Sequence, residues 1–220
     1  MPRQLAAEGL GTALLLATVV GSGVMGVALA DGNDAVALLA NAGATAGMLY
    51  VLITILGPIS GAHFNPAVSL AMAIRGEQSP RDALLYSAVQ GLGAVVGVVI
   101  AHAMFGLDLF QPGTQARTGA SQWLSEGVAT FGLLLTILLG ARHRPTALPA
   151  LVAAYIFAAY WFTSSTSFAN PAVTLARALT TTFAGIRPMD VGGFVLAQFG
   201  GMFAALAMAR LLGTEARRPA

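Results

Sequence analysis

The chain has 220 residues, 56% of them hydrophobic and 9% charged; all eleven cationic side chains are arginine, set against nine acidic residues. Soluble domains carry about 25% charged residues, so this composition, with a mean hydropathy of +0.76, excludes an ordinary water-soluble fold and points to a membrane protein. The net charge of +2 gives no argument for nucleic acid, and the absence of cysteine removes disulfides, thiolate metal sites and cysteine nucleophiles from consideration.

Six apolar runs follow one another, at Leu5 to Ala30, Ala35 to Leu56, Ala83 to Phe105, Trp123 to Ala141, Ala147 to Ser164 and Val191 to Leu212. Each is close to the roughly 20 residues that cross a bilayer as a helix. Arg3 before the first run and "ALA" at 28–30 imitate a signal peptide and its cleavage site. The apolar core is longer than a typical signal's, and the same pattern returns in mid-chain, so the first run is read as a span. With six spans and both termini cytoplasmic, Arg3, Arg75, Arg81, Arg142, Arg144, Arg217 and Arg218 fall inside, and only Arg117, Arg177 and Arg187 fall outside with Asp31, Asp34 and Asp108. Trp123 is placed near an interface.

Two stretches break the simple count. Residues 35–74 contain no formal charge, and as one helix they would run about 60 Å, twice the hydrocarbon thickness. The chain must fold back at "GPISGAHFNP", with Gly57, Pro58 and Gly61 ending one helix and Pro66 opening the next. "TSSTSFANP" makes the same interruption before Pro171. Each leaves a half-helix, Pro66 to Arg75 and Pro171 to Thr180, about 15 Å long.

These interruptions belong to an internal repeat. Glu8 in "AAEGLGTALLLATVVGS" aligns with Glu126 in "LSEGVATFGLLLTILLG", Asn65 in "HFNPAVSLA" with Asn170 in "FANPAVTLA", and Gln90 with Gln198. The repeats extend approximately over residues 1–106 and 120–214 of a single transmembrane channel domain, 1–220. Three full spans per half invert the second copy, as in transport proteins. The half-helices then meet N-terminus to N-terminus near the midplane. Pro66 and Pro171 at the first helical position lose no hydrogen bond. Asn65 and Asn170 cap the helices with their side-chain oxygens and direct an NH₂ group toward the shared passage. Two electropositive helix ends there repel cations and accept neutral hydrogen-bonding molecules.

With Asn65, Pro66, Ala67 and Asn170, Pro171, Ala172 as paired motifs, beside the paired glutamates and glutamines, the chain resembles the aquaporins, or major intrinsic proteins, over essentially its whole length. The resemblance implies an all-α membrane fold of six transmembrane helices plus two re-entrant half-helices, membrane lipid as surroundings, a homotetramer with one pore per subunit, and passive flow of water or small neutral solutes without a cofactor. It implies that Glu8 and Glu126 brace the re-entrant loops, and that the carbonyls of Gly61, Ala62, His63, Ser167, Phe168 and Ala169 receive the solute.

Most aquaporins resemble one another in an arginine directly after the second motif; here Val173 stands there. Counting as the family does, the other selectivity-filter positions fall on Thr45, Ser167 and Ala158; Tyr160 and Trp161 read as packing residues, and a two-position shift of the alignment would bring Tyr160 into the filter. An uncharged filter is wider and less polar, which favours an aquaglyceroporin-like or metalloid channel over a strict water channel. "LGPISGAHFNPA" and "TSFANPAVTLARAL" are similar to a bacterial subgroup associated with arsenic resistance, which makes arsenite, polyols or methylated arsenicals candidate cargo and a bacterial inner membrane the setting. No thiol selects arsenic. Arg177, one turn beyond Val173, reads either as a displaced vestibule charge or as an anchor at the outer interface.

Other residues carry structural readings. Gln90 and Gln198 read as interhelical hydrogen-bonding glue, Gly93 with Gly97 and Gly201 with Ala205 as close-packing pairs, and His102 as a core residue without partners for a metal. An ion-coupled transporter would need free intramembrane carboxylates, an enzyme would need paired acids or a nucleophile with its base, and neither is present. A structural junction protein remains a third class.

Overall fold

The computed structural model describes residues 1–213, so the expectations for Arg217, Arg218 and the end of the second repeat at 214 lie outside the described residues. Within them the chain is all helical, with eight α-helices: α1 Pro2–Leu29, α2 Asp34–Ser60, α3 Pro66–Ile74, α4 Pro80–Met104, α5 Ala120–His143, α6 Leu148–Phe162, α7 Pro171–Arg177 and α8 Val191–Leu211. Single 3₁₀ turns, Pro145–Ala147 and Pro188–Asp190, lead into α6 and α8. Six segments are long and apolar enough to cross a membrane; α3 and α7 are not.

Local chemistry sets the starts. The Asn33 side chain accepts from the amides of Ala35 and Val36, Ser79 accepts from Asp82, Asn65 from Ala67, and Asn170 from Ala172 and Val173, each satisfying amides that have no partner within their helix. Two ends differ from expectation. α2 runs through Gly57 and Pro58 to Ser60 and stops at Gly61, whose φ of +88° suits a residue without Cβ. Proline is tolerated there because it removes one bond in the last turn only. α7 ends at Arg177 rather than Thr180: the carbonyls of Arg177, Ala178 and Leu179 are taken by the amides of Ile186, Gly113 and Gln111, so surrounding loops replace the continuing helix.

α1 packs along α4 and α2, α5 along α8 and α6, and α2 meets α6 across the middle. The half-helices are shared: α3 and α7 each touch both α4 and α8, and they touch each other. Close crossings rest on glycine. A Cβ on Gly93 would sit 2.2 Å from the Gly9 carbonyl oxygen, on Gly97 2.2 Å from that of Ala13, and on Gly201 2.1 Å from that of Gly127. Leu16, Val20, Leu52, Leu134 and Met202 fill the interior, while Leu84, Leu92, Leu124 and Leu196 face outward, the arrangement expected where the surrounding solvent is hydrocarbon.

Candidate functional site

The site is built from the two segments that interrupt the spans. In the first, Gly61, Ala62 and Phe64 take left-handed backbone angles, and in the second Thr166, Ser167 and Ala169 do. These are the positions four, three and one before Asn65 and Asn170. Left-handed conformation costs a residue with a Cβ about 1–2 kcal/mol, so each loop needs an external tie.

Glu8 supplies the first tie. Its Oε1 accepts from the Ser60 hydroxyl (2.6 Å) and the His63 amide (3.0 Å), and its Oε2 from the Phe64 amide (2.7 Å) and the Gln90 side chain (2.8 Å). Glu126 repeats the pattern with Ser165 (2.6 Å), Phe168 (2.8 Å), Ala169 (2.9 Å) and Gln198 (2.6 Å). Bonds to a charged acceptor contribute about 1.5–3 kcal/mol each, enough to outweigh the strain of either loop. Both carboxylates are fully buried, which leaves no room for snorkelling or simple capping. Gln90 and Gln198 also donate to Ser69 and Thr174, tying each half-helix to its neighbouring span.

The asparagines complete a reciprocal pair. Asn65 Nδ2 donates to the Ala169 carbonyl at 2.8 Å, and Asn170 Nδ2 to the Phe64 carbonyl at 2.7 Å. One N–H of each amide therefore crosses to the opposite loop, the second has no partner among the described groups, and both asparagines stand on the cavity wall.

The cavity they line has a volume of about 1030 Å³; a water claims about 30 Å³ of liquid, so it has room for many small molecules. Arg75, Glu77 and Arg142 line it on the side of the chain's N-terminus, and Thr45, Tyr160, Ser167 and Arg177 on the other. Arg75 and Glu77 pair at 2.7 Å. One wall is apolar, with Leu15, Val19, Leu49, Val68, Leu133, Val152 and Ile156; the other carries Gly61, Ala62, His63, Ser167 and Phe168. Their five carbonyls accept no hydrogen bond from any described group. The Ser167 hydroxyl is also buried without a partner.

Two expected positions move. Ala169 is absent from the wall, its carbonyl taken by Asn65. Ala158 is exposed on the outer face of α6, whereas Tyr160, two residues on, is buried on the wall with its hydroxyl 3.3 Å from Thr45. Thr45, Ser167 and Val173 all lie on the wall, as does Arg177, only 2% exposed. Pro66, Ala67, Pro171 and Ala172 open the half-helices behind it. His102 is buried between the Leu109 carbonyl (2.9 Å) and Thr180 (2.8 Å), and no metal-ligating cluster occurs among the described residues.

Arg117, in the loop between α4 and α5, was not singled out by the sequence. Its backbone amide donates to Asp190, and its guanidinium to the carbonyls of Gly185 (2.8 Å), Ser165 (3.2 Å) and Phe183 (3.4 Å). Burial lowers its pKa to about 10, against the attraction of Glu126, and it stays charged at neutral pH. A lone loop arginine gives no sequence signal for this; the hydrogen-bond partners of its guanidinium are all backbone carbonyls.

Spanning helices around a lumen closed by two half-helices define a channel-forming class of membrane protein. The model of the major intrinsic protein family matches residues 1–164, and the chain belongs to that family. It is 56% identical over 217 residues to aquaglyceroporin AqpS of Rhizobium meliloti (strain 1021), covering 99% of this chain and 93% of that protein. It is 32% identical over 188 residues to aquaporin TIP1-2 of Zea mays, covering 80% and 73%. The X-ray structure of the aquaglyceroporin from Plasmodium falciparum superposes with a TM-score of 0.74 over 96% of this chain and 94% of that one, at 17% identity.

Proposed function

We propose that this protein is a passive channel for water and small uncharged solutes of polyol size, with arsenite or methylated arsenicals within its range. The observation that carries this reading is the strip of five unpaired carbonyls beside Asn65 and Asn170, facing an apolar wall. A neutral polyol slides its hydroxyls along the acceptors and donors while its carbon backbone meets the apolar side. Thr45, Tyr160, Ser167 and Val173 form the outer constriction in this reading, and valine leaves space that an arginine would fill. Kinship to an aquaglyceroporin favours this over a strict water channel. The two halves act as inverted repeats of one channel domain, the termini are cytoplasmic in a bacterial inner membrane, and four subunits assemble with one pore each.

Stopped-flow light scattering on proteoliposomes tests it. Glycerol flux is expected to be linear in its gradient and indifferent to ion gradients; saturating, ion-dependent uptake would make the protein a transporter, and water flux without glycerol flux would make it a strict water channel. Val173→Arg is expected to reduce glycerol flux about tenfold more than water flux, equivalent to about 1.4 kcal/mol of added barrier. An equal reduction of both would remove Val173 from the constriction.

A further inference from the structure

Two arginines flank the ring of Phe168, and they are used differently. Arg117 Cζ stands 5.0 Å from the ring centroid, and every guanidinium nitrogen of Arg117 donates to a backbone carbonyl; it is absent from the cavity wall. Arg177 Cζ stands 3.3 Å from the centroid, and its Nε donates to the Ala184 carbonyl. Its two terminal nitrogens bond to no described group, and the residue lines the cavity although only 2% of it is exposed.

Direction matters here. A helical side chain leans toward its helix N-terminus and covers the turn before its own Cα, which for Arg177 is the turn of Val173. Phe168 lies two residues before Asn170 in the loop running down to α7, so a guanidinium stacked on it has returned to the level of Ser167 and Val173. It is held between the ring and the Ala184 carbonyl on a residue that borders the lumen, which leaves its two unbonded terminal nitrogens as the donors available there. Shape acts only on contact, whereas a Coulomb interaction falls off as the inverse of distance. A wall-mounted charge therefore acts on a permeant molecule without narrowing its path.

Resting on the channel reading above, we propose that Arg177 is a specificity-determining residue that supplies charge discrimination at the outer constriction, while Val173 sets its width. The pore thus rejects cations yet admits solutes larger than water.

Urea and guanidinium, planar and nearly the same size, separate charge from shape; water and glycerol report size. In proteoliposomes the native channel is expected to pass urea and exclude guanidinium. Arg177→Gln is expected to raise guanidinium entry about tenfold or more relative to urea, with the glycerol-to-water ratio held within about twofold. Arg177→Lys, which keeps the charge, restores exclusion. An Arg177→Gln channel with an unchanged urea-to-guanidinium ratio, or with all four fluxes lowered in proportion, overturns the proposal and leaves a purely structural arginine. If Arg177→Gln does not insert, Val173→Cys, a lone thiol in a chain without cysteine, probes the intact site. Its reaction with an anionic methanethiosulfonate relative to a cationic one should exceed the ratio for free cysteine about tenfold; an equal ratio overturns the proposal. A native protein that passes neither urea nor glycerol defeats the channel reading itself, whereas one that passes both with Arg177-independent charge selection defeats only this inference.

Discussion

Glu8 and Glu126 are the residues on which the loop geometry depends. Each carboxylate accepts four bonds at a fully buried position, and a glutamine there would present an NH₂ group to donors. Glu126→Gln is expected to lower stability by about 3 kcal/mol or more, seen as a reduced thermal unfolding midpoint in detergent, together with loss of solute flux. A midpoint unchanged within error would mean that the left-handed residues hold their geometry without the brace. Duplication made these glutamates and both asparagines legible in the sequence, since a single intramembrane glutamate has a bland reading at a helix end. Ser60 and Ser165 were equally legible in principle: each stands five residues before its asparagine. Nothing in the sequence signals the left-handed residues before each asparagine, because Ala62, Phe64 and Ala169 are residue types that ordinarily avoid that conformation.

Helix number and type were readable from apolar runs and prolines, yet boundaries were not. Proline at 58 reads as a terminator, and the helix absorbs it in its final turn; the end of α7 is decided by amides arriving from residues 111, 113 and 186, which no local pattern encodes. The choice between Ala158 and Tyr160 on α6 was ambiguous for a related reason. A span apolar on all sides has no amphipathic phase, so Ala158 and Tyr160 are separable only once packing is known. At the crossings, glycine is required by contact: Gly93→Ala would drive a methyl into the Gly9 carbonyl and separate α1 from α4. We expect a loss of about 1–3 kcal/mol from this overpacking, measurable by thermal unfolding. The same change at Gly91, where a Cβ meets nothing within 4 Å, should leave the midpoint unaltered.

For the whole molecule, the arrangement of charges predicts orientation. Arg75, Arg142 and Arg144 lie at the end of the bundle that carries the N-terminus, and Asp31, Asp108, Arg117 and Arg187 at the other. Asp108→Cys and His143→Cys, each alone in a chain without cysteine, should be distinguished by a membrane-impermeant maleimide in intact cells, with only the first labelled. The reverse pattern would invert the topology and place Arg177 on the cytoplasmic side.

The crossed amides of Asn65 and Asn170 carry a consequence for how such a pore can diverge. Each one fastens its own half of the chain to the other half where the half-helices meet, so parting that junction would unfasten the molecule. At the level of Val173 the halves are tied by a side-chain contact, Thr45 to Tyr160, which substitution can remove without touching the backbone. Changes in the size of solute admitted are therefore cheap at the level of Val173 and ruinous at the centre, and variants with altered appetite should accumulate only at the former.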